Sequence, residues 1–249
     1  MFSQELVDRL AQAQHVAVLT GAGISAESGI PTFRDPGGLW QQFKPEELAN
    51  IRAFLKNPTL VQGWYAHRRS VAEEKEPNAG HHALVALEAL VPDFLLITQN
   101  VDNLHQRAGS EKVAELHGNI TRSYCIDCER EATVADLQNA AEGQAICPEC
   151  NGYFRPDVVW FGEMLPETEI TRADAAARRA EVFLSIGTSA VVHPAAGLPI
   201  LARESGAYVA EINVEPSAIA EYMNEVVTGK AGEVLPELVT AVEQVMSHQ

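Results

Sequence analysis

Four cysteines fall in two pairs, Cys125-Ile126-Asp127-Cys128 and Cys147-Pro148-Glu149-Cys150, with 18 residues between the pairs. A two-residue gap lets both sulfurs of one loop reach a single ion, and the spacing matches the paired C-x2-C pattern of zinc sites. Disulfides or unrelated buried thiols are the competing explanations, and the chain holds no other cysteine. Four thiolates would complete the tetrahedral shell of one Zn²⁺. Such an ion would hold a small module together and leave no open position for catalysis.

A second pattern offers a phosphate site. Gly21-Ala22-Gly23-Ile24-Ser25-Ala26 fits G-x-G-x-x-[G/A] directly after an apolar run, where backbone amides and a helix N-terminus could face a pyrophosphate. An unliganded strand-to-helix turn fits the same residues. The dinucleotide fingerprint also asks for an acidic residue about 20 positions on, at the end of a second strand. That region reads LWQQFKPEELAN, with no strand pattern, which disfavours ordinary hydride transfer.

A third pattern concerns a carboxylate. Tyr65 and Arg68 are three apart, so on a helix they share a face, and a guanidinium with a phenol can grip an anion. An amphipathic helix with solvated arginines and one packed tyrosine accounts for the same residues, and Arg69 has no role in the clamp.

These residues need elements to hold them. Short apolar runs at 15–20, 93–98, 182–186, 208–213 and 225–228 predict buried parallel strands, with helical patterns at 81–90, 169–179, 193–205 and 235–246. The alternation predicts an α/β, Rossmann-like doubly wound sheet. Polar clusters follow the strands at Gly21–Gly23, Gln99–Asp102, Gly187–Ser189 and Asn213–Glu215, and ligands bind outside the carboxyl ends of such strands. We expect a cofactor-binding domain from 1–29, 79–121 and 155–249. A cofactor loop and helical segment spans 30–78, and an inserted zinc module spans 122–154.

The 249 residues carry 34 acidic and 18 basic side chains, a net charge of −16, and 46% are apolar. That field repels nucleic acid, and no basic cluster offsets it locally. No apolar run reaches the roughly 18–20 residues of a membrane span, and the amphipathic start is unlike a secretory signal. The expectation is a cytoplasmic protein with no nucleic-acid or membrane partner.

Seven ordered stretches, GAGISAESGIPTFRD, TQNVDNLH, ELHGNI, the paired CxxC, RPDVVWFGE, GTSAVVHPAA and EINVEPS, resemble the sirtuin family over about residues 15 to 231. The resemblance implies NAD-dependent removal of acyl groups from protein lysines, releasing nicotinamide and O-acyl-ADP-ribose, in a cleft between a Rossmann-like and a zinc domain. His117 becomes the candidate general base, a role a neutral imidazole suits near pH 7, although it is one of eight histidines. Asn119 stands where family members often have a small residue. Asn100 and Asp102 would contact the nicotinamide and ribose region, or cap the helix that starts near Asn103.

By the same resemblance, Gly21, Ala22, Gly23 and Ser25 would hold the cofactor, with Phe33, Arg34 and Trp40 on a loop over it. Gln99, Gly187, Thr188, Ser189, Asn213, Glu215 and Ala231 would complete that site. Val158, Val159, Trp160 and Phe161 resemble the strip that pairs with an extended peptide. Tyr65 and Arg68 resemble the signature of members that accept malonyl, succinyl or glutaryl chains. Mono-ADP-ribosyl transfer and a non-catalytic NAD-sensing module are the alternatives.

Overall fold

The computed structural model describes residues 2–32, 45–138 and 143–248. Among the described residues, eight strands run in chain order: β1 (His15–Thr20), β2 (Asp93–Thr98), β3 (Val113–Glu115), β4 (Gly118–Cys125), β5 (Phe154–Val158), β6 (Val182–Ile186), β7 (Tyr208–Asn213) and β8 (Glu225–Thr228). Six form a sheet in the order β3-β2-β1-β6-β7-β8, and every pairing within it is parallel. This is the doubly wound order, with its switch point between β1 and β6. The five expected strands have the observed bounds.

The sheet is apolar because both faces are covered. Val16 and Val18 of β1 join a core with Leu6, Leu84, Leu87, Leu235 and Leu238 from the helices Gln4–Gln12, Ala79–Leu90 and Ala231–Met246. Their neighbours Ala17 and Leu19 face the opposite way, against Ala173, Ala177 and Ala202 of the helices Glu167–Arg179 and Leu198–Glu204. Alternation along one strand therefore fills two separate layers.

Local sequence explains the helix ends that differ from expectation. Asn78 starts its helix two residues early, accepting from the amides of Gly80 and His81. The stretch expected as one helix over 193–205 divides into a 3₁₀ turn, Ala195–Gly197, and the helix Leu198–Glu204, whose first turn accommodates Pro199. The glycine turn leads into 3₁₀ turns over Ala22–Ser28, not an α-helix, and these stop at Gly29 with φ 81°.

β4 and β5 pair antiparallel and leave the main sheet. They connect to a third core, in which Phe54, Val61 and Tyr65 meet Val101, Ile120, Val158 and Trp160, and to a small cluster of Cys125, Ala145, Cys147 and Phe154. Among the described residues, no helix is long and apolar enough to cross a membrane.

Candidate active site

A cavity of about 690 Å³ opens at the switch point. The turn after β1 supplies Gly21, Ala22 and Gly23, and the turn after β6 supplies Gly187, Thr188 and Ser189. Gln99 and Asn100 enter from β2, Asn213 and Glu215 from β7, and Ala231 from the start of the last helix. Its volume lies in the range of small-molecule sites, and its place at the carboxyl ends of parallel strands fits a dinucleotide.

The glycines have a reason the sequence did not reveal. A Cβ on Gly21 would lie 2.8 Å from the Gly187 carbonyl oxygen, and one on Gly23 would lie 2.7 Å from Gly187 Cα. The Gly21 and Gly23 amides donate to the carbonyls of Ile186 and Gly187. Close contact of the two turns, rather than a ligand alone, requires glycine here. Gln99 Nε2 donates to Thr188 Oγ1 at 3.0 Å and Asn213 Nδ2 to the Thr188 carbonyl at 3.0 Å, tying three strand ends together.

Below the cavity, Ser25 Oγ donates to Asp102 at 2.7 Å, while Asn100 Nδ2 donates to the Gly21 carbonyl and to Ser25 Oγ. Asp102 also accepts from the Leu104 amide at 3.0 Å, across the turn that leads into the helix Leu104–Ala108, whose N-cap residue is Asn103. Burial raises the Asp102 pKa, against the bonds from Leu104 and Ser25 and the nearby Arg68 charge. Asn100 lines the cavity, whereas Ser25 and Asp102 do not.

A second cavity, about 200 Å³, adjoins the first. It contains Tyr65, Arg68, Val158, Val159, Trp160 and Phe161, and again neither Ser25 nor Asp102. His117 and Gln99 border both cavities. The His117 Nδ1 lies 2.9 Å from the Gln99 carbonyl oxygen. A carbonyl only accepts, so Nδ1 carries the proton and Nε2 keeps its lone pair. Burial lowers the His117 pKa, and the Gln99 bond opposes that shift. The imidazole is therefore neutral near pH 7.

In the smaller cavity, Arg68 is half-buried, its guanidinium 4.7 Å from the Trp64 ring centroid and 5.7 Å from that of Tyr65. Burial pushes the Tyr65 phenol up to about 12. Trp160 Nε1 donates to the Tyr65 oxygen at 2.9 Å. Arg69, idle in the clamp, is engaged elsewhere. Its guanidinium donates to the Ile120 carbonyl and Ser123 Oγ, fastening the Tyr65 helix, Pro58–Glu73, to β4. Gln62 fastens the same helix to the cysteine module through Ala145 and Phe154.

The four cysteine sulfurs lie within 4.8 Å of one another, and none is in a disulfide. Each pair ends in the same loop: the Glu129 and Asn151 amides donate to the Cys125 and Cys147 carbonyls, with φ 59° and 61°. Matching loops that converge four sulfurs suit a tetrahedral ion.

Phe33, Arg34 and Trp40 lie outside the described residues. Asn119 is fully engaged, donating to Asn103 and Glu115 and accepting from Thr121. Two features have no signal in the sequence. Glu211, fully buried on β7, accepts from the Ser217 amide and hydroxyl and so shapes the loop beside Glu215. His81 and His105 meet in the core as a tilted pair, 4.8 Å between ring centroids and 55° between ring planes. Neither carries a motif, since Glu211 sits inside an apolar strand and the histidines lie on different helices.

Comparison with known proteins agrees with this arrangement. Residues 21–194 match the model of the Sir2 family. NAD-dependent protein deacylase 2 of Pyrobaculum aerophilum is 51% identical over 240 residues, 96% of this chain and 95% of the relative. A solved Sir2 homologue mutant in complex with ADP-ribose superposes with a TM-score of 0.95 at 42% identity, covering 100% of this chain and 99% of that one. A solved complex of Sir2, p53 peptide and NAD⁺ gives a TM-score of 0.85 at 34% identity, covering 96% and 98%. The chain belongs to the Sir2, or sirtuin, family.

Proposed function

We propose that this protein is an NAD-dependent protein-lysine deacylase that acts as deacetylase and as desuccinylase or demalonylase, with a preference for acidic acyl groups. The observation that carries the reading is His117, fixed by Gln99 with Nε2 unprotonated, on the wall shared by the two cavities. The relatives' names and their ADP-ribose and peptide complexes support the same chemistry.

NAD, when bound in the larger cavity, supplies a ribose carbon for the acyl oxygen once nicotinamide has left. His117 Nε2 then takes the proton of a ribose hydroxyl, as a neutral base in a buried site does efficiently. Asn100 and Asp102 serve this step by holding the glycine turn through Ser25. The apolar walls of the smaller cavity, Val101, Val158 and Val159, exclude water from the acyl chain.

Tyr65 and Arg68 line that cavity and supply a donor and a positive charge for a terminal carboxylate. A hydrogen bond to a charged group is worth about 1.5–3 kcal/mol, or roughly 10- to 150-fold. Acetyl-lysine needs neither group and remains a substrate. Substrate proteins bind as an extended segment along Val158–Phe161. The Val159, Trp160 and Phe161 amides already donate to His117, Glu163 and Ala49, so the peptide must donate its own N–H groups to this strip.

The cysteine module holds one structural Zn²⁺. The chain divides into a cofactor unit (1–29, 79–121, 155–249), a helical segment (30–78) and the zinc module (122–154); two apolar clusters keep to the first and one to the last, while the third packs Phe54, Val61 and Tyr65 of the helical segment against Val101, Ile120, Val158 and Trp160 of the cofactor unit.

The test is NAD-dependent nicotinamide release from one peptide bearing succinyl- or acetyl-lysine, with Arg68→Met beside the wild type. The reading expects faster succinyl turnover, lost in Arg68→Met while acetyl turnover persists. Equal loss of both would make Arg68 structural. A peptide carrying ADP-ribose instead of a freed lysine would favour ADP-ribosyl transfer.

A further inference from the structure

The wall of the smaller cavity includes half-buried Glu163, whose ion pair with buried Arg155 the deacylation chemistry does not use. Arg155 is 6% exposed, and its two terminal nitrogens reach the Glu163 carboxylate at 2.6 and 2.8 Å. A buried charge pair is costly to desolvate, and burial by itself is weak evidence for a stabilising role. Besides donating to the Val158 carbonyl at 2.9 Å, the pair braces Trp160. The Arg155 guanidinium lies 3.7 Å from the Trp160 ring centroid, and Glu163 Oε2 accepts from the Trp160 amide at 2.8 Å. Phe54 approaches the same indole with ring centroids 5.2 Å apart. Trp160 is thereby fixed by its backbone and through its ring.

The fixed indole ends in a donor that can only donate, and Nε1–H points at the Tyr65 oxygen, 2.9 Å away. A phenol oxygen that accepts in this way must turn its own hydrogen elsewhere. No acceptor for that hydrogen lies among the described residues, and Tyr65 lines the cavity beside Arg68. The accepted bond also polarises the O–H and makes it a stronger donor.

We propose that Trp160 is a positioning residue for acyl selectivity: its indole N–H, held by the Arg155–Glu163 pair, orients the Tyr65 hydroxyl to donate to a carboxylate at the end of the acyl chain. The inference rests on the acidic-acyl reading above and adds a residue acting through Tyr65. Any side chain of similar shape would pack against Phe54, but only one with an N–H sets the direction of the phenol proton.

The experiment reads the ratio of kcat/KM for succinyl- over acetyl-lysine peptides in wild type, Trp160→Phe, Tyr65→Phe, the double variant and Arg68→Met. Trp160→Phe should lower the ratio by about three- to tenfold, and should lower it no further when Tyr65 is already Phe. Replacing Trp160 by 3-benzothienylalanine, which keeps the bicyclic shape and lacks the N–H, should give the same drop without the packing change. An unchanged ratio in the benzothienyl protein, or equal and additive losses in the double variant, overturns the role of Trp160 while Arg68→Met still upholds the carboxylate clamp. If wild type and Arg68→Met share one ratio, the clamp fails, and Trp160 has no selectivity to set.

Discussion

His117 and Gln99 are joined by one hydrogen bond, Nδ1 to carbonyl oxygen at 2.9 Å, and that bond decides which imidazole nitrogen is basic at the junction of the two cavities. Burial holds the His117 pKa below its ordinary 6.5. A base is disabled by protonation, so the acid limb of kcat/KM should lie below pH 6.5, with activity level above it. His117→Asn should lower kcat/KM by about 100- to 10,000-fold for both acyl peptides. A pH–rate profile whose acid limb is centred above 6.5 would contradict the effect of burial.

Gly23→Ala tests whether the glycine turn serves packing as well as cofactor. The added Cβ would meet Gly187 Cα at 2.7 Å and its carbonyl oxygen at 2.8 Å, both of them backbone atoms. Overpacking of this kind costs about 1–3 kcal/mol. Thermal unfolding without NAD should show that loss, whereas Gly63→Ala, with nothing within 4 Å of its Cβ on an exposed helix position, should be neutral or stabilising. Equal melting temperatures for both variants would return the requirement for glycine at 23 to the ligand alone.

Metal removal should act at a distance. Gln62 makes three hydrogen bonds from the Tyr65 helix to Ala145 and Phe154, residues packed with Cys125 and Cys147. Elemental analysis should find one zinc per chain, and Cys147→Ser should lose it. Chelation should lower the melting temperature and turnover of both acyl peptides together, since a closed site is structural. Full stability in fully stripped protein would exclude that role.

The sequence exposed β1, β2, β6 and β7 because these strands are largely buried on both faces and therefore read as mainly apolar runs. β3 is three residues long, too short to register, and β4 carries polar Thr121, Arg122 and Ser123 where its pairing with β5 shifts register. The spacing of the cysteines and of Tyr65 with Arg68 was legible because each partnership is local in the chain. Ser25 with Asp102 and Trp160 with Tyr65 are 77 and 95 residues apart, and only the fold brings them together. Arg69 reads as idle for the same reason: its partners Ile120 and Ser123 lie on β4, which has no apolar run to mark it.

The buried, tilted pair His81 and His105 should make the fold sensitive to acid. Both are buried, 0% and 1% exposed, and no carboxylate is among the groups that shift them. Burial pushes His81 down to about 4 and His105 well below 6.5. The Asn78 amide donates to His81 Nδ1, so its proton sits on Nε2 and the ring stays neutral. Since the folded pKa values are lowered, the unfolded chain binds more protons below pH 6.5, and stability is lost as pH falls from there toward the folded values. Each histidine adds a slope of up to about 1.4 kcal/mol per pH unit well inside that window. Urea unfolding at about pH 6 and pH 5 should show the loss, and His105→Gln should reduce the slope by about one proton's share. A slope unaltered by that substitution would mean that His105 is protonated in the folded protein, or that the acid response arises elsewhere.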